Sequence, residues 1–236
     1  MKLKKFLLFI AVPIISATFI FSTVNKSISV DEGTETKGSL SSVNGSISIG
    51  NNVVVRGSLR NINGSIRTGE KCEIKDILKN VNGSISLGNN SYALKISTVN
   101  GSVRLGDNCR IKTIIKSVNG SIKCKTGTRI RGGISTVNGS VTLYGTEIGE
   151  GIITYNGHIE IKGNSIVNGD IIIKKSKLGF FEKLFKKKKK ELRIKLSGNS
   201  LIKGDIVNKN ENRDVILILA PGCKVEGKLI NITEEK

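Results

Sequence analysis

The chain has no tryptophan, one methionine, one histidine and two prolines, and aromatics make up only 4% of it. Its four cysteines, Cys72, Cys109, Cys124 and Cys223, and its one histidine, His158, show no metal-ligand spacing. A glycine-rich phosphate loop is missing too. Acids are few: 19 against 38 basic residues, a formal net charge of +19. Among the repeats, Asp107, Glu147, Glu160, Asp170 and Asp205 show no stacked carboxylate pair of the kind glycan cleavage needs. Nothing past the N-terminus is as continuously apolar as the run from Phe6 to Phe21. Ile, Val, Ser, Asn and Gly dominate instead, which suits short strands separated by turns.

The N-terminus reads as an export signal. "MKLKK" carries three lysines, and an apolar run of 16 residues follows from Phe6 to Phe21, interrupted by Pro13. That is short for a membrane-spanning helix. Ile20 and Ser22 suit the −3 and −1 positions of a cleavage site before Thr23, and no cysteine lies nearby, which excludes a lipoprotein. Residues 1–22 are therefore expected to be a signal peptide or an uncleaved N-terminal membrane anchor. Residues 23–37 would follow as a linker or cap.

The phrase "VNGSI" or "VNGSV" recurs at Val43, Val81, Val99, Val118 and Val137, with "INGSI" at Ile62 and "YNGHI" at Tyr155. Its asparagines are Asn44, Asn63, Asn82, Asn100, Asn119, Asn138 and Asn156, in steps of 19, 19, 18, 19, 19 and 18. A fixed period in this range marks a solenoid. Within each unit inward apolar positions follow a 6+6+7 rhythm, as at Ile47, Val53, Leu59 and Ile66. Local alternation adds the strand period of two. The fold class predicted is all-β: a single-stranded parallel β-helix of triangular cross-section, about 19 residues per coil, right-handed by the preference of parallel crossovers. Coils start at Ile47, Ile66, Ile85, Val103, Ile122, Val141, Ile159, Ile194 and Leu217. About nine coils make a rod of about 45 Å. The solenoid spans 38–230, and 231–236 form a tail.

"VNG" is one corner of the triangle. Glycine there is expected to supply positive φ, and the asparagine amides to stack into a ladder, each bonding to the next. Asn168 falls 12 residues after Asn156 and belongs to another corner. Six "NGS" triplets match a glycosylation acceptor, but a ladder amide cannot carry a glycan. Cys72, Cys109 and Cys223 align with Val53, and Cys124 with Ile49, so all four read as core hydrophobes. His158 replaces the outward serine and reads as a surface histidine without a partner.

Between Lys174 and Arg193 ten basic and two acidic residues interrupt the rhythm, leaving through the "VNG" corner. Phe180, Phe181, Leu184 and Phe185 stand beside Lys186, Lys187, Lys188, Lys189 and Lys190, and the spacing suits one face of a short helix. Apolar anchors with adjacent lysines suit an anionic membrane surface or an envelope polymer. Nucleic acid would use the same lysines, but export argues against it. The alternative is a soluble loop whose phenylalanines tuck against the solenoid.

Tandem "TVNGSI" coils after a signal peptide resemble a group of uncharacterised bacterial exported proteins. "GNSIVNGDI" and "GNSLIKGDI" resemble coils of the bactofilins, polymer-forming bacterial cytoskeletal proteins with a right-handed triangular β-helix. The resemblance covers about residues 38–230 and implies that fold, with possible self-association. Bactofilins generally lack a cleavable signal and a long basic insert. Hexapeptide-repeat acyltransferases also form triangular β-helices and use a histidine, but keep uninterrupted hexads, whereas this chain adds one residue per turn. The function expected is a non-enzymatic exported structural or adhesive rod without a cofactor. The rivals are a bactofilin-like scaffold and, further off, an acyltransferase relative.

Overall fold

In the computed structural model, residues 21–175 and 191–235 are described. The leader, apart from Phe21 and Ser22, and the insert residues Phe180, Phe181, Leu184, Phe185 and Lys186 to Lys190 lie outside them. Every strand among the described residues pairs in parallel with its equivalent one coil on, and no helix occurs among them. Each coil passes through three strand columns. The second runs from Glu35–Thr36 to Lys224–Val225 and the third from Phe21–Thr23 to Leu229–Ile230, and the single strands Glu73–Asn80 and Tyr92–Thr98 each cover both. The first column has eleven, from Ile28–Val30 to Thr233–Glu235. All nine expected coil starts fall in it in register.

The solenoid is longer than the apolar rhythm predicts. Phe21–Thr23 pairs with Leu40–Ser42, and Ile28–Val30 with Ile47–Ile49, so residues assigned to leader, linker or cap form a coil. Thr233–Glu235 pairs with the strand Val215–Leu219, so the expected tail adds a further strand. The insert is shorter than expected, because the strand Leu192–Leu196 begins two residues before Ile194. Phe21, Ile28 and Leu192 pack on the core like other inward residues, whereas Thr233–Glu235 is polar throughout. Parallel pairing uses backbone groups, so polar residues can join a column where no apolar rhythm marks them.

Inward positions are filled by branched aliphatics: Ile47, Leu59, Ile66, Leu78, Ile85 and Ile96 are each fully buried. β-Branched side chains suit this pleated stack, and each buried one stabilises by about 1.5–3 kcal/mol. The two 18-residue steps have separate physical causes. In one, Ile74 and Ile77 are three apart where their partners Ala93 and Lys95 are two apart, a register shift at the corner between the second and third columns. In the other, Cys124 and Arg129 are five apart where their partners Leu143 and Glu147 are four apart, so the loss lies at the corner between the first and second columns. That corner holds one left-handed residue in most coils, for example Asn52 (φ 56), Lys71 (φ 54), Asn90 (φ 57) and Asn108 (φ 57). Pro221 sits in a turn closed by Cys223 N–H donating to Ala220 O at 3.1 Å, ahead of Gly222 at φ 80, and so interrupts no ladder.

Candidate functional surfaces

The asparagine ladder forms as expected, one rung longer. Asn63 Nδ2 donates to Asn44 Oδ1 at 2.8 Å, Asn82 to Asn63 at 2.9 Å, Asn100 to Asn82 at 2.9 Å, Asn119 to Asn100 at 2.8 Å, Asn138 to Asn119 at 2.8 Å and Asn156 to Asn138 at 2.7 Å. Below them Asn44 donates to Asn25 Oδ1 at 2.8 Å. Asn25 escapes the motif because its phrase reads "VNKSI", yet its distance of 19 residues from Asn44 marks it. The amides are exposed but mutually satisfied, and the nitrogen a glycan would need is committed to the coil below. Asn168 instead donates to Ile148 O at 3.2 Å, outside the ladder.

The glycine after each ladder asparagine has a different cause from the one expected. None of these glycines has a positive φ; apart from Asn231 in the last coil, the left-handed residues lie at another corner. What they lack is room. A Cβ on Gly120 would lie 1.8 Å from Gly101 O, and one on Gly101 would lie 1.9 Å from Gly83 O. Lys26 holds this position in the first described coil, where no described coil lies beneath it. Behind the corner runs a buried polar column that the motif alone does not announce. Ser42, Asn61, Asn80, Thr98, Ser117, Thr136 and Thr154 stand two residues before the ladder asparagines and are all buried. Asn61 Nδ2 donates to Gly45 O at 2.7 Å, and Gly157 N–H donates to Thr154 Oγ1 at 3.0 Å. The sequence does carry a signal for it: this position is always Ser, Thr or Asn.

His158 points outward, but it does have a partner. Its Nδ1 accepts the backbone N–H of Arg193 at 3.0 Å, the role played by Ser46 Oγ toward Ser65 N–H in an earlier coil. It lines a shallow concavity of about 300 Å³ with Ser140, Thr142, Glu160, Arg193 and Lys195. Glu160 there is held by Lys162 at 2.6 Å. The carboxylates also need correction: Asp170 and Asp205 do stack, one coil apart. Asp170 Oδ1 accepts Asp205 N–H at 2.9 Å, and Asp205 Oδ1 accepts Lys228 N–H at 2.7 Å. These oxygens serve the corner as serine does elsewhere, Ser39 Oγ accepting Ser58 N–H at 3.0 Å. Among the described residues no group of three or more His, Cys, Asp or Glu is placed to hold a metal, and no helix is long and apolar enough to cross a membrane.

The cysteines are inward, as their alignment requires. Cys72, Cys109 and Cys124 are buried, Cys223 is half-buried, and all are free thiols. Burial raises the Cys72 thiol, pushes Cys109 up to about 11 and raises Cys124 further. Thiolate chemistry is disfavoured at all three.

Two surfaces stand out from the body of the rod. Toward the C-terminal end, outward positions of the third column turn apolar: Ile153, Ile172, Val207 and Ile230 stack in consecutive coils. In the last coil Leu229 and Ile230 are 36% and 40% exposed. In the middle of the rod, by contrast, outward positions are basic across the first and second columns. No family model, no curated protein and no solved structure matches the chain.

Proposed function

We propose that the protein is a non-enzymatic exported rod of the bacterial cell envelope, structural or adhesive, touching an anionic membrane surface or envelope polymer through its basic aromatic insert. The observation that carries this reading is the solenoid itself. Its conspicuous side-chain arrays serve the coils themselves: the ladder and the Asp170–Asp205 stack bond from coil to coil, and the polar column bonds the corner both between coils, as Asn61 to Gly45 O, and within one, as Thr154 with Gly157. The apolar leader and the insert composition support export and surface contact. The test is fractionation of cells producing a C-terminally tagged chain. Recovery in the envelope, with the leader needed for it, is expected; recovery in the cytosol overturns the reading. For the insert, the wild type should bind anionic vesicles at low salt more tightly than a variant lacking 174–191, with part of that binding resistant to salt. Equal binding removes the insert from the account.

A second reading, a bactofilin-like self-polymerising scaffold, is favoured by the apolar stripe and by the exposed Leu229 and Ile230 in the last coil. Unpaired strand edges at a solenoid end template further pairing. Electron microscopy separates the two: filaments support the scaffold, short particles the discrete rod.

A further inference from the structure

Between Val103 and Arg131 the chain carries eight basic residues and one acid, Asp107, a net +7 in two consecutive coils. Arg104, Arg110, Lys112, Lys116, Lys123, Lys125, Arg129 and Arg131 are all exposed. Parallel register sets like charges directly opposite one another: Arg104 faces Lys123 on the first column, and Arg110 faces Arg129 on the second. Lys112 and Arg131 each lie two residues further along the same coils. Opposed like charges on paired strands destabilise a sheet. Arg60 and Lys79 also face each other in two earlier coils, but elsewhere bases commonly have acids beside them. Lys75 meets Glu73 at 3.1 Å and Lys162 meets Glu160 at 2.6 Å, while Arg56 pairs with Glu35 and Arg193 with Glu191. In the central coils only Arg129 has such a partner among the described residues, Glu147 at 3.3 Å.

We infer that this girdle is a binding site for a flexible linear polyanion of phosphate groups, lying along the strands and bent round the corner between the first and second columns. The geometry selects that class. Cations repeat about every 6.6 Å along a strand, two residues apart, and about every 4.8 Å from coil to coil. This lattice suits a chain of closely spaced phosphates. A flat membrane reaches only one side of the corner at a time, whereas a flexible chain reaches both. No aromatic lies within the two coils; Tyr92, opposite Arg110, and the exposed Tyr144 stand singly in the coils on either side, too few to stack successive bases, so phosphates rather than bases are read. The site deepens the envelope-polymer half of the proposed function and rests on it for its biological setting. Because it lies on coils other than the one the insert interrupts, in-vitro binding stands or falls separately from where the protein resides.

The experiment is calorimetric titration of the full chain with long-chain inorganic polyphosphate at several salt concentrations. Three proteins are compared: the wild type; a girdle variant with Arg104→Ser, Arg110→Thr, Lys123→Ser, Lys125→Ser and Arg131→Thr; and an insert variant with Lys186 to Lys190 each changed to serine. The girdle variant should bind at least tenfold more weakly. Its slope of log affinity against log salt should be shallower by about 0.7 for each phosphate it no longer neutralises. The insert variant should lose less than threefold. Circular dichroism checks that the fold is kept. If the five-site variant does not fold, the pair Arg104→Ser and Lys123→Ser should still weaken binding at least threefold. Unchanged affinity in the folded girdle variant, or in that pair, overturns the site. So does an equal loss in the insert variant, tighter binding of single-stranded DNA than of polyphosphate at equal phosphate concentration, or wild-type binding to anionic vesicles without binding to polyphosphate.

Discussion

Asn119 and Gly120 sit side by side in one corner and do opposite work. Asn119 contributes bonds: its amide donates to Asn100 and accepts from Asn138, both at 2.8 Å. Gly120 contributes the absence of a side chain, with Gly101 O only 1.8 Å from where a Cβ would stand. Asn119→Ala should cost about 1 kcal/mol, since exposed amides exchange protein partners for water. Gly120→Ala, which must push two backbones apart, should cost about 3 kcal/mol. Denaturant unfolding of both variants checks the order; a cheaper Gly120→Ala would show that the coils can part. The thiols give a second prediction at this scale. Burial raises Cys109 from 9.0 to about 11, so the unfolded chain ionises first as pH climbs. The stability this group contributes is complete below about pH 9 and is lost as pH rises through 11. At pH 8 a thiol reagent should count one accessible cysteine, Cys223, in the native protein, and four after unfolding. More than one in the native state would mean that the core opens. The ladder was legible because a single residue type repeats at a fixed step. The role of its glycines was not, since a close approach between coils leaves the same letter in the sequence as a positive φ.

At the scale of the strand, period and register were readable because inward positions are apolar and the step is constant. The ends were not. Ile28–Val30 keeps the rhythm only in "SISV", and Thr233–Glu235 has no apolar residue at all; backbone pairing alone holds it to Val215–Leu219. The stacked acids escaped for a related reason. Asp170 and Asp205 are 35 residues apart because the insert lies between them, which hides a one-coil step. The insert interrupts sequence but not pairing: Ile159–Lys162 lies against Leu192–Leu196 in register, and Ile152–Thr154 against Ile171–Ile173. Replacing 175–191 with a short Asn-Gly corner should therefore change stability by less than about 1 kcal/mol, because each coil meets mainly its neighbours. A thermal melt checks this, and a collapse of the melt would show that the insert packs on the solenoid.

For the molecule as a whole, the two described ends differ. At one, Lys26 stands where later coils need glycine. A second copy stacked in register beneath it would meet its side chain. At the other, Leu229 and Ile230 are open to solvent, and Cys223, Val225 and Ile232 pack only partly against the core. Association should therefore run through the C-terminal coil. Leu229→Lys with Ile230→Lys should abolish any concentration-dependent increase in sedimentation coefficient shown by the wild type. A variant that assembles like its parent would move the contact elsewhere.

The 19-residue coil has one more consequence. Each of the central coils meets its neighbours through the same carbonyl, glycine and amide, so a coil is interchangeable with a copy of itself. Duplicating 85–102 or 122–140 within a gene would lengthen the rod by one step of about 4.8 Å and leave both ends, the insert and their chemistry untouched. Reach then becomes a heritable quantity that changes in whole numbers. Related genes could differ in how far their product extends without differing in what its tips do.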